Sequence, residues 1–103
     1  RDAETAMRDV FPATPLQRNA HLSERYGAEI YLKREDLSPV RSYKIRGAHN
    51  AMRKQSDQDL FVCASAGNHA QGVAYMCSHM GVKGVIFMPV TTPQQKIQKN
   101  IYK

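Results

Sequence analysis

No run of apolar residues in this chain of 103 is long enough to span a bilayer. The first residues, Arg1-Asp2-Ala3-Glu4, carry no initiator Met and no apolar core of a signal peptide, so the chain reads as cytoplasmic and as cut from a longer protein. Cysteine is scarce. Cys63 and Cys77 have no neighbour at metal-ligand spacing and form no Cys-x-x-Cys, which argues against a redox or metal motif. Both read as small buried hydrophobes, Cys63 in a strand and Cys77 on a helix. His21, His49, His69 and His79 show no zinc pattern, so no metal is expected. None of the six glycines adjoins another. There is no internal repeat and no low-complexity segment.

Acidic residues are in the minority. Fifteen Lys and Arg against nine Asp and Glu leave a formal charge of +6. The basic residues are scattered, apart from Arg41, Lys44 and Arg46 and a loose group at Lys96, Lys99 and Lys103. No aromatic residues interleave with them as a single-strand binder would require. A solvated basic surface is the simpler reading, and nucleic acid is not an expected partner. Hydrophobic residues at 42% and charged residues at 23% are ordinary for a globular protein. The length allows one small domain at most.

Apolar spacing then places the elements. Ala3, Met7, Val10 and Phe11 predict a first helix running to about Val10. Pro12 and Pro15 interrupt it. Thr14 as cap and Pro15 in the first turn predict a second helix, with Leu16 and Ala20 inward and an end near Gly27. Ala28 to Lys33 reads as a strand and Arg34 to Arg41 as loop. A helix is expected from about Ser42, with Ile45, Ala48 and Met52 on its buried face.

Leu60-Phe61-Val62-Cys63-Ala64 is continuously apolar, which suits a strand covered on both faces of a parallel sheet. A helical pattern through Ala70, Val73, Ala74, Cys77 and Met80 follows and stops at Gly81. Asn68 and Gln71 stand three apart, as a capping pair would. Gly84 to Met88 is a second buried-type strand, and Thr92-Pro93-Gln94-Gln95 opens a last helix with Thr92 as cap. The alternation from Leu60 onward is the α/β pattern with parallel pairing.

Two segments can carry chemistry. Ser65-Ala66-Gly67-Asn68-His69 lies between a strand's C-terminal end and a helix start, the edge where open α/β sheets collect ligands. Free backbone N–H groups there favour a carboxylate or phosphate. An ordinary turn capped by Asn68 fits the same residues equally well. Lys44 falls in the first turn of a helix, where the dipole disfavours a cation and helps to keep the amine neutral and nucleophilic. Alone, it also reads as a surface lysine.

Together, Ser42-Tyr43-Lys44-Ile45-Arg46-Gly47-Ala48 and Ala64-Ser65-Ala66-Gly67-Asn68-His69-Ala70-Gln71-Gly72 resemble the threonine dehydratase (threonine ammonia-lyase) family. These are pyridoxal-phosphate enzymes of fold type II, the tryptophan-synthase-β-like fold. Tyr31-Leu32-Lys33-Arg34-Glu35-Asp36-Leu37, Thr14-Pro15-Leu16 and Phe87-Met88-Pro89 fit the same family, so the resemblance covers nearly the whole chain from about Phe11. It implies an α/β fold, a three-layer parallel sheet with flanking helices. Residues 1–103 would be an incomplete, N-terminal part of the catalytic domain.

The resemblance also implies roles. Lys44 would carry pyridoxal 5'-phosphate as a Schiff base and act as general base. Asn68 would bond the cofactor's ring hydroxyl, and Tyr43, at a position often Phe in relatives, would lie near its ring. Ser65, Ala66, Gly67 and His69 would hold the carboxylate of an amino-acid substrate. The expected reaction is deamination of L-threonine to 2-oxobutanoate and ammonia, in isoleucine biosynthesis or threonine catabolism, by an enzyme assembled as a homodimer or tetramer. A serine racemase or serine dehydratase shares both motifs. A catalytically inert anion-binding or interaction fragment is the alternative of another class. The family's glycine-rich phosphate loop lies beyond these residues, so the segment alone is expected to be inactive.

Overall fold

The computed structural model describes residues 1–98. Helix α1 spans Asp2–Met7. It stops earlier than its apolar spacing predicts, and residues 8–10 continue as turns in which Val10 and Phe11 both donate to Met7 O.

The predicted second helix is corrected. Leu16–Arg18 form a strand, β1, paired antiparallel with β2 at Tyr31–Lys33. Leu16 is exposed, not inward. Thr14 cannot cap a helix because its side chain is committed elsewhere, to Glu35 and Arg46. The following backbone takes ladder bonds instead: Arg34 N donates to Pro15 O at 2.9 Å and Asn19 N to Ile30 O at 2.9 Å. Asn19 supplies the cap, its side chain accepting from Leu22 N at 2.8 Å, so helix α2 is only Ala20–Tyr26. It ends at Gly27 in the left-handed conformation, as expected.

A single 3-10 turn at Glu35–Leu37 interrupts the loop. Helix α3, Lys44–Arg53, then buries Ile45, Ala48, His49 and Met52. Strand β3, Leu60–Ala64, pairs in parallel with β4, Lys83–Phe87, and helix α4, Asn68–Met80, connects them. Asn68 is the first helical residue and not the cap, so no capping pair with Gln71 forms. The last helix, α5, is Gln94–Gln98. Thr92 turns its hydroxyl back to Pro89 O at 2.6 Å.

The α/β class is as expected. The two strands are not covered on both faces, however. Phe61 and Cys63 pack toward the core, while Leu60, Val62, Val85 and Phe87 are exposed. Among the described residues α4 lies against one side of the pair. An apolar run records that both faces are hydrophobic, but cover needs a second layer of chain. Cys77 is buried, Cys63 is half-buried and both are free thiols. Burial raises the pKa of each.

The core lies between α3 and α4, where Ile45, Ala48 and Met52 meet Val73, Met76 and Cys77, with Met7 and Phe11 closing one side. The two helices touch at backbone level. A Cβ built on Gly72 would lie 3.2 Å from Ile45 N, 3.3 Å from Ile45 Cα and 3.3 Å from Lys44 C. Backbone atoms cannot rotate away, so any larger residue at 72 would force the two helices apart by a few tenths of an ångström. At Gly47 of α3 a Cβ would meet nothing within 4 Å.

A second tie joins the antiparallel pair and its loop to α3. Arg46 Nε donates to Glu35 Oε2 at 2.6 Å and Nη2 to Oε1 at 3.0 Å, a two-pronged ion pair. Thr14 donates its hydroxyl to Glu35 Oε1 and accepts from Arg46 Nη2 at 3.2 Å. Arg46 also reaches Glu4 Oε2 at 3.2 Å and lies 5.5 Å from the centre of the Phe11 ring. The guanidinium holds the Glu35 carboxyl at about 2, helped by Thr14 and by the charges of Arg46 and Lys33, against the opposing effect of burial.

Two outcomes follow for the intact protein. Gly72→Ala gains about 1 kcal/mol of helix propensity but forces an overpacking cost of about 1–3 kcal/mol, so its unfolding midpoint should fall. Gly47→Ala takes the propensity gain without a clash and should rise, and thermal melts of the two variants check the contrast. Glu35 is depressed below 4.5, so its contribution is complete above that pH and is lost as pH falls toward about 2. Denaturant titrations across this window should show a loss of stability in the wild type that Glu35→Gln largely removes.

Candidate functional site

Lys44 is the first helical residue of α3, and no side chain caps that helix end. The turn leading to it is fastened by Ser38, whose hydroxyl donates to Ser42 O at 2.9 Å and accepts from Ser42 N at 3.2 Å. Within the turn Arg41 has φ 59°, the left-handed region that a long side chain rarely adopts. Strain of this kind persists only where its surroundings hold it, and it clusters at functional sites. The Ser42 hydroxyl is itself buried without a partner.

The Lys44 amine stands 5.4 Å from the centre of the Tyr43 ring. Lys44, Tyr43, Arg46, Gly47 and Ala48 line an open hollow of about 370 Å³, and His69 from the first turn of α4 lines it too. The backbone contact at Gly72 is what sets α4 beside α3, so residues 25 apart in sequence share one wall. The structure thus brings Lys44, Tyr43 and His69 together.

Ser65, Ala66, Gly67 and Asn68 are placed differently. They form the crossing from β3 to α4 and do not line the hollow. Ser65 N donates to Phe87 O at 3.0 Å, which ties the loop to the end of β4. The Ser65 hydroxyl accepts from Gly67 N at 3.1 Å, closing a tight bend. Gly67 and Asn68 are exposed, and a Cβ on Gly67 would meet nothing within 4 Å. The thirteen-residue α4 opens without a side-chain cap, so its first N–H groups and its dipole face outward here.

The donor set fits pyridoxal phosphate at its reactive end. A primary amine is present for an aldehyde, an aromatic ring lies beside it, and an uncapped helix start with Asn68 and Ser65 offers donors for oxygen anions. Arg46 adds little net charge to the hollow, because Glu35 neutralises it. Sequence reasoning missed Thr14, Glu35 and Gly72. Arg46 was visible as one of three clustered cations and as a member of the Ser42–Ala48 run, without a role of its own, and no spacing rule links Thr14, Glu35 and Arg46 across two elements and a loop.

No helix among the described residues is long and apolar enough to cross a membrane. Residues 8–101 match the model of the family described as pyridoxal-phosphate dependent enzyme. The chain is 57% identical over 100 residues to the biosynthetic L-threonine dehydratase of Bacillus subtilis, an alignment covering 94% of this chain and 24% of that protein. It is 53% identical over 100 residues to the counterpart from Halalkalibacterium halodurans, again covering 94% and 24%. Among solved structures, processed threonine deaminase isoform 2 of Solanum lycopersicum matches at 42% identity and TM-score 0.79, over 86% of this chain and 25% of that one. Serine racemase of Dictyostelium discoideum superposes with TM-score 0.88 at 29% identity, over 96% of this chain and 34% of that one. The chain therefore spans about a quarter of the length of the curated relatives it matches. With nearly all of its residues inside the family's pattern, it belongs to the pyridoxal-phosphate dependent enzymes of fold type II.

Proposed function

We propose that residues 1–103 are the N-terminal part of the catalytic domain of a cytoplasmic threonine ammonia-lyase. The full enzyme deaminates L-threonine to 2-oxobutanoate and ammonia, in isoleucine biosynthesis or threonine catabolism, and assembles as a homodimer or tetramer. The observation that carries this reading is Lys44 lining one hollow together with Tyr43 and with His69 from the first turn of α4. The identity to biosynthetic threonine dehydratases supports the choice of substrate.

Lys44 would hold the cofactor, its Nζ being the primary amine that lines the hollow. Bound pyridoxal phosphate supplies an electron sink for the charge left on the substrate's α-carbon. Nζ of Lys44 would also serve as general base for the substrate's α-proton. Asn68 would hold the cofactor's ring hydroxyl as a donor, and Tyr43 would lie near its ring. Ser65, Ala66, Gly67 and His69, at the open end of α4, receive the substrate carboxylate. Loss of the β-hydroxyl and hydrolysis of the released enamine complete the reaction. The phosphate cradle belongs to chain beyond this segment.

The backbone likeness to serine racemase supports a second reading, racemisation of serine. Product analysis of the full-length enzyme separates them: 2-oxobutanoate from threonine is expected, and net racemisation with little 2-oxo acid overturns the lyase. Borohydride reduction followed by peptide mass spectrometry should find the cofactor on Lys44. Lys44→Ala should abolish that label and lower turnover by about 10³-fold or more. A label that survives the substitution refutes the assignment.

A further inference from the structure

We propose that the Arg46–Glu35 ion pair is the positioning device for Lys44, holding the first turn of α3 in one rotational setting. The proposal rests on the reading of Lys44 as the cofactor lysine. Lys44, Ile45 and Arg46 are consecutive, so their side chains leave the helix about 100° apart. Two of the three are anchored. Ile45 is fully buried, with its backbone against Gly72. Arg46 is gripped by both oxygens of Glu35. With the next two positions fixed, Lys44 cannot swing by rotation of the helix.

This end of α3 needs an outside anchor. It has no side-chain cap and no acidic residue in its first turn. It carries two cations, Lys44 and Arg46, at the end of the dipole that repels them. The preceding turn is strained at Arg41. Such an end frays by default, and fraying would release Lys44 first. Glu35 supplies the missing negative charge from another element, and Thr14 bonds both members of the pair. Arg46 and Lys44 line the same hollow, so a shift of one is felt at the other.

A fork and a point charge behave differently here. Lysine keeps the charge of Arg46 but cannot bond both carboxylate oxygens in one plane. The test uses the full-length apoenzyme with added pyridoxal phosphate. It compares wild type, Arg46→Lys, Glu35→Gln and the double variant by rate of borohydride-trapped label at Lys44, by kcat and KM, and by thermal midpoint. Each single variant should slow labelling and lower kcat by about 10-fold or more, with KM nearly unchanged. The double variant should be no worse than the singles, because the pair acts as one unit. Should a single variant fail to fold, Thr14→Val removes only the shared hydroxyl, and it must still slow labelling about threefold, a fraction of the loss expected from disturbing the pair itself.

Labelling and kcat at wild-type values in these variants, with only the thermal midpoint lowered, overturn the proposal and leave the pair a scaffold contact. Wild-type label on a lysine other than Lys44 overturns the cofactor reading itself, and the proposal with it. The two failures are thus told apart by where the label sits and by whether its rate changes.

Discussion

The contact between Gly72 and the backbone of Lys44 and Ile45 is the constraint on which the rest of the molecule depends. Side chains normally hold packed helices 8–10 Å apart. Here one glycine removes that spacer where the first turn of α3 crosses α4. The approach buries Ile45 and brings Val73 and Met76 onto the face of α3 that carries Ala48 and Met52. It also sets His69 across from Lys44. Core and site are therefore two consequences of one close approach, and a methyl group at position 72 disturbs both.

Electrostatics follows from the same placement. Arg41, Lys44 and Arg46 are one basic cluster in sequence, but each has a different fate. Arg41 is exposed at a strained turn. Arg46 turns toward Glu35, Thr14 and Glu4, and its charge is compensated. Lys44 faces the hollow beside Tyr43. The fold separates them, neutralising the neighbour and presenting the amine.

The exposed side of the parallel strands has a plain physical meaning. Leu60, Val62, Val85 and Phe87 alternate with residues that face α4, so the pair carries apolar groups on both faces and one layer of cover. Strands of this composition suit the middle of a three-layer α/β sandwich. That fits a chain spanning about a quarter of the length of its curated relatives.

Local rules sufficed wherever spacing or a dipeptide decides the outcome. They placed α3 and its buried face, the β3–α4–β4 unit, the glycine at the end of α2, and Lys44 and the Ser65–His69 loop as candidates. They failed at Leu16–Arg18, where a proline and a threonine that suit a helix start lie in extended chain. They also failed at Asn68, a good capping residue that caps nothing. At Leu16–Arg18 the deciding partners are remote. Thr14 is drawn off by Glu35 and Arg46, and β1 is paid in backbone bonds by β2. The sequence by itself determined which residue types could react. Only the tertiary structure decided which of them meet, because a close backbone approach and an ion pair across distant segments leave no periodic trace in the chain.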